Sequence, residues 1–108
     1  MRRGEVWWVN FDPAVGGEIK KTRPAIIVSN DASNEHMNRV QVIPLTSNVS
    51  RFYPCECTVT VAGKTSKAMA DQIMTISKKR LTGRMGAVSA EDMEAVEGII
   101  RVQLGMGA

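Results

Sequence analysis

The chain has 108 residues, 44% of them hydrophobic and 23% charged, with a formal net charge of +3. That length predicts one domain over residues 1–108 with a modest core, and the composition is ordinary for a globular protein. No apolar run approaches the roughly 20 residues of a membrane helix and no signal-peptide core follows Met1-Arg2-Arg3, so a cytoplasmic protein without membrane contact is expected; the weak basic excess permits a polyanionic partner without demanding one.

Strands come first. Glu5–Phe11 (EVWWVNF) is rich in β-branched and aromatic residues and stops at the turn signal Asp12-Pro13. Residues 12 to 22 form a long loop containing Gly16 and Gly17. A second strand follows in RPAIIVSN, residues 23 to 30. Pro24 pushes Arg23 towards an extended backbone and, lacking an N–H, belongs at a strand start or edge. Asp31–Asn38 is polar and turn-rich, with room for one short helical turn. RVQVIPL, residues 39 to 45, alternates as a third strand, with Val40 and Val42 on one face and Gln41 and Ile43 on the other. Thr46-Ser47-Asn48 is its polar stop.

CECTVTVAG supplies a fourth strand with Glu56, Thr58 and Thr60 on one face, followed by a turn at Gly63-Lys64-Thr65. The composition of Ser66–Ser77 also suits a helix, but its neighbours and the Thr75-Ile76 end favour a fifth strand over residues 67 to 76. RLTGRMGAV makes a short sixth strand weakened by glycine. Ser89-Ala90-Glu91-Asp92 matches a capping box with Asp in its last position, and Met93, Val96, Ile100 and Leu104 follow at helical spacing up to Gly105. The expected helix covers about residues 90 to 104, with that stripe as core packing. The whole reads as a small β-barrel or strongly curved sheet closed by one C-terminal helix.

Several chemistries lack their residues. Cys55 and Cys57 lie two apart on a strand, so same-face neighbours sit about 6.6 Å apart, near the upper limit for a disulfide. Both read as partly buried strand cysteines. His36 is the single histidine, no metal-ligand spacing appears among the carboxylates, and no phosphate loop or nucleophile elbow is present, so no metal or cofactor is expected. Two polar residues at strand ends remain. If strands two and three pair antiparallel, Arg23 and Thr46 become neighbours on one rim beside the glycine loop. By spacing alone, a strand-end salt bridge and a turn threonine stand ahead of an anion site.

The pieces RGEVWWVNFDP, GGEIKKTRPAIIVSN, VQVIPLTSN and ADQIMTISKKRL, in this order and spacing, resemble the MazF/PemK toxins of type II toxin–antitoxin systems along nearly the whole chain. The resemblance implies an SH3-like β-barrel of the MazF/PemK/CcdB type with a C-terminal helix, and a homodimer. It implies a metal-independent endoribonuclease that cuts single-stranded RNA at short sequences, leaving 2′,3′-cyclic phosphate and 5′-hydroxyl ends. A cognate acidic antitoxin is implied as partner. The family's catalytic residues carry over to Arg23 and Thr46, and Glu18 matches a loop acid. Gln72 matches a recurring position near the RNA groove. Lys20-Lys21 departs locally from more neutral family residues. The rival is a CcdB-like gyrase-binding toxin without nuclease activity. That relative uses a terminal tryptophan, whereas this chain ends VQLGMGA.

Chemistry assigns roles within this resemblance. Arginine is permanently cationic and grips phosphate oxygens in a fork, so Arg23 is expected to stabilise charge. Thr46 offers one hydroxyl donor to the phosphate or the leaving oxygen. Glu18 and water are both candidates to accept the 2′-hydroxyl proton. RNA binding is expected from the 12–22 loop with Lys20 and Lys21, from the 47–54 loop with Ser47, Asn48 and Arg51, and from Gln72, Lys78, Lys79 and Arg84. Of Phe52 and Tyr53, one is expected to stack a base and the other to cap the core. Trp7 and Trp8 point to opposite faces, one into the core and the other to a dimer interface or the groove.

Overall fold

The computed structural model describes residues 1–107 of the chain. Its elements are β1 (Glu5–Asn10), β2 (Thr22–Ile27), α1 (Asp31–His36), β3 (Arg39–Thr46), β4 (Glu56–Val61), β5 (Lys64–Met69), β6 (Met74–Ser77), β7 (Leu81–Ala87) and α2 (Ala90–Leu104). Short 3-10 turns at Ala70–Gln72 and Lys78–Arg80 flank β6. The strands run antiparallel in the order β4-β5-β3-β2-β1-β7, with β6 added on β3. The sheet curls into a half-barrel with α2 packed on it, the mainly β fold with a C-terminal helix expected from the sequence. Among the described residues, no helix is long and apolar enough to cross a membrane.

The second half of β2, residues 25 to 27, is apolar without interruption because both of its faces are buried. Ala25 and Ile27 pack with Val9, Val40 and Val42, while Ile26 packs with Val6, Ile43, Leu45 and Val59. Successive side chains point to opposite faces, so one strand serves two clusters. Ile26 is fully buried; truncating such a side chain to alanine costs about 2–5 kcal/mol.

The stretch expected as one strand over 67–76 is two. β5 begins at Lys64 and pairs with β4 and with the end of β3, through Leu45↔Ala68 and Thr46↔Lys67. β6 pairs with the start of β3, through Val40↔Ile76 and Val42↔Met74. One edge of a long, curved strand thus takes two partners in succession, and the turn at Ala70–Gln72 carries the chain between them. The preceding hairpin turns at Ala62 and Gly63, both with positive φ, so Lys64 and Thr65 belong to β5 and not to the turn. The opposite edges of the sheet approach closely at Gly86, where an added Cβ would stand 3.1 Å from Val61 Cγ1.

α2 has the caps its sequence announces. Ser89 Oγ accepts from the Asp92 N–H at 3.0 Å, and Gly105 takes a left-handed φ of 66°. Asp92 also accepts from the Thr60 N–H at 2.9 Å, tying the helix start to β4. Val96 and Ile99 are buried, with Met93 and Ile100 packed beside them. Leu104 departs from the expected stripe and is exposed, because the last turn runs past the core.

Candidate active site

β2 and β3 pair through Ala25↔Pro44. Extending that register by two residues puts Arg23 across from Thr46, and both line one cavity. Thr46 pairs on its other side with Lys67. Three polar residues therefore lie abreast on adjacent strands. A cavity of about 310 Å³ opens here, lined by Arg23, Thr46 and Ser47 together with Trp8, Pro24, Leu45, Lys64, Ser66 and Met85.

Arg23 is half-buried, and its Nε is buried with no hydrogen-bond partner. Among the described residues, no carboxylate forms an ion pair with it. A guanidinium that lines a cavity with no internal counter-charge keeps its charge available for an external anion. Thr46 Oγ1 accepts from the Asn48 N–H at 3.3 Å, which leaves its own hydrogen to donate. Fixed cationic and hydroxyl donors beside a concave opening suit an oxyanion or phosphate.

Glu18 lies elsewhere. It lines a separate cavity with Phe11, Ile19, Thr75 and Arg80, and its Oε1 accepts from the Val15 N–H at 2.7 Å. One carboxylate oxygen thus holds its own loop, and the side chain is exposed. Gln72 holds the same loop from outside: its Oε1 accepts from the Ile19 N–H at 3.2 Å and its Nε2 donates to the Gly17 carbonyl at 3.3 Å. Lys21 takes a left-handed φ of 68° there, and its N–H donates to Asp12 Oδ1 at 2.9 Å. The side chains of Lys20 and Lys21 are exposed.

The remaining cations divide. Lys64 joins the cavity lining and was not singled out by sequence, where it sat in a supposed turn. Lys78 faces away: its ammonium donates to the Asn34 carbonyl, and it lines a different cavity with Trp7, Asp31 and Glu35. Lys79 is exposed on its 3-10 turn. Arg84 pairs with Glu5 at 3.1 Å. Burial works against the Glu5 carboxylate, but the Arg2 N–H, the Trp7 indole N–H, the N-terminus and Arg84 together hold its pKa below the ordinary value. Trp7 packs against the core, and Trp8, on the opposite face, lines the Arg23–Thr46 cavity.

Phe52 and Tyr53 are both exposed, so neither caps the core. The core cluster includes Leu45, Ala68 and Ala70, with Cys55 and Cys57 packed against it. Both cysteines are free thiols. Burial, and then the Asp92 carboxylate, push the Cys57 pKa up, which disfavours the thiolate. Arg51 is exposed, with its carbonyl accepting from Lys67 Nζ at 2.9 Å. Asn48 Oδ1 accepts from Ser50 and shapes the loop after β3. Among the described residues, no group of three His, Cys, Asp or Glu side chains could hold a metal ion.

Residues 2–104 match the family described as PemK-like, MazF-like toxin of type II toxin-antitoxin system. Endoribonuclease MazF9 of Mycobacterium tuberculosis is 38% identical over 113 aligned positions, covering 96% of each protein. The structure of MazF from Deinococcus radiodurans superposes with a TM-score of 0.86 at 28% identity, over 97% of this chain and 96% of that one. A mycobacterial endoribonuclease solved in complex with its cognate antitoxin gives a TM-score of 0.84 at 26% identity, over 100% of this chain and 98% of that one.

Proposed function

The chain belongs to the PemK/MazF family of type II toxin–antitoxin toxins, and on that premise we propose that it is an endoribonuclease toxin cutting single-stranded RNA at the Arg23–Thr46 cavity. The observation that carries the site is an Arg23 side chain that lines the cavity beside Thr46 with no carboxylate paired to it among the described residues. RNA contains its own nucleophile. The 2′-hydroxyl attacks the adjacent phosphorus, a new P–O2′ bond forms, and the P–O5′ bond breaks. The 2′-hydroxyl gives up its proton and the 5′-oxygen takes one, leaving a 2′,3′-cyclic phosphate and a 5′-hydroxyl.

Arg23 stabilises the negative charge that grows on the phosphoryl oxygens, and Thr46 donates to the phosphate or the leaving oxygen. Glu18 is turned into its own loop, so the proton passes to water in the open cavity. No metal is needed for these steps, and the scattered acids favour that route. The cut falls at a short sequence set by the loops around the cavity. The protein works in the cytoplasm as a homodimer, and an acidic antitoxin covers the cavity and the 12–22 loop by charge complementarity. The known antitoxin complex of a similar mycobacterial protein favours such a partner.

The test uses a single-stranded RNA and the same RNA with deoxyribose immediately 5′ to the cut, both in excess EDTA. The expected result is cleavage of the first to cyclic-phosphate ends, with the second bound but uncut. Activity lost in EDTA and restored by magnesium would overturn metal independence. Equal cutting of both RNAs would overturn the 2′-hydroxyl route.

A further inference from the structure

Lys67 is a buried cation that the proposed chemistry does not use. It is 8% exposed, and all its partners lie in the segment after the catalytic rim. Its Nζ stands 3.4 Å from Glu56 Oε1, donates to the Arg51 carbonyl at 2.9 Å, and sits 5.5 Å from the centroid of the Phe52 ring. Glu56 is equally enclosed, and its Oε1 also accepts from the Tyr53 N–H at 2.8 Å. A hydrophobic pair would fill this space without desolvating two charges. What the charges add is geometry: one ammonium fixes a carboxylate, a carbonyl and a ring.

The placement gives that geometry a use. Lys67 pairs with Thr46 in the sheet, so the segment is referenced to the rim of the cavity. Phe52 takes the ammonium on its ring yet remains 44% exposed, and Tyr53 beside it is 56% exposed. Exposed rings held in a fixed attitude near a phosphate site are what an unpaired base stacks on.

We propose that Lys67 is a positioning residue for RNA recognition: held by Glu56, its ammonium fixes the Arg51–Tyr53 backbone and the Phe52 ring as a stacking platform for an unpaired base of the substrate. This rests on the RNA-cleaving reading above. Lys67 touches no reacting atom, so its loss acts on binding and not on the chemical step.

The experiment is a double-mutant cycle on Lys67→Met and Phe52→Ala. Affinity is measured by fluorescence anisotropy with the single-stranded RNA carrying deoxyribose at the cut, and kcat and KM with the cleavable RNA. Lys67→Met should weaken affinity roughly tenfold, within the range of one base–aromatic stack, and raise KM with kcat near the parent's. The double variant should bind no more weakly than Phe52→Ala alone, because both changes remove one platform. Amide exchange at Tyr53 should quicken in Lys67→Met. If Glu56 left without its counter-charge unfolds the protein, Lys67→Met/Glu56→Gln removes both charges, keeps an acceptor for Tyr53, and should show the same weakened binding. A parent that cuts RNA while the Lys67 variants bind it equally well overturns the platform alone. Additive losses in the cycle, or a fall in kcat at unchanged KM, also overturn it. A parent that neither binds nor cuts RNA overturns the reading on which it rests.

Discussion

Two partly enclosed cations flank Thr46, and they are treated in opposite ways. Lys67, on β5, has a carboxylate, a carbonyl and an aromatic face around its ammonium. Arg23, on β2, has a buried Nε and no partner for it. Both pay a desolvation cost, but only one recovers it inside the protein. The difference separates a charge that specifies structure from one held open for a ligand. The same contrast runs through the other polar groups: Gln72 and Asp31 are satisfied within the fold, whereas the Thr46 hydroxyl keeps its hydrogen free.

The largest expected effect tests the open side of this contrast. Arg23→Ala should lower the single-turnover cleavage rate by at least roughly 10²–10³, the loss typical of one aimed donor. It should destabilise the fold by no more than about 1 kcal/mol, since no internal hydrogen bond to the Nε is broken. Arg23→Lys keeps the charge without the fork and should recover part of the rate. Thr46→Ala should cost less than Arg23→Ala, and Thr46→Ser, which keeps the hydroxyl, less again. Cleavage rates measured beside thermal melts decide the matter. A folded Arg23→Ala variant cutting as fast as the parent would make the open cation structural after all.

Legibility in the sequence followed how local the cause was. The caps of α2, the twofold-buried run of β2 and the Arg23–Thr46 adjacency rest on short-range pattern plus one antiparallel pairing, and all three could be read. The break between β5 and β6 could not, because it depends on β3 offering one edge to two partners. Lys67 was missed for a related reason: in TSKAM it looks like any solvated strand lysine, and its carboxylate lies eleven positions back on another strand. Glu18 and Gln72 were grouped with the substrate site on resemblance, but their side chains are engaged in holding the 12–22 loop. Loop hydrogen bonds of this kind leave no periodic trace.

Gln72 offers a sharper, smaller test of the satisfied class. Its amide makes two bonds to the loop, at Ile19 and Gly17. Gln72→Ala should loosen that loop by about 1 kcal/mol, since exposed hydrogen bonds contribute modestly. Faster amide exchange at Ile19, with only a few-fold change in cleavage, is the expected pattern. A raised KM with unchanged exchange at Ile19 would instead mark Gln72 as an RNA contact and move it to the open class.

The smallest expected effect lies away from the cavity, at Asp31. Its Oδ1 accepts from the Arg3 N–H at 2.7 Å and from Asn34 Nδ2 at 3.2 Å, with the Arg2 guanidinium 3.4 Å from Oδ2. The Arg3 hydrogen bond first, then Asn34, Arg2 and Arg3, lower its pKa below the ordinary 3.8 in spite of some desolvation. A carboxyl whose folded pKa is depressed binds its proton more readily when unfolded. Its contribution is therefore fully present above pH 3.8 and is lost as pH falls through the lower folded value. Asp31→Asn keeps an acceptor for the Arg3 N–H but cannot titrate. The stability gap between parent and variant should be small and flat near neutrality, and should close below pH 3.8. Exposure and salt weaken the effect further, so melts at low ionic strength are the sensitive measurement. The RNA-cleaving rate at neutral pH should not change. A gap that widens on acidification would mean that Asp31 is held protonated in the fold, and that the hydrogen bonds around it favour the neutral carboxyl.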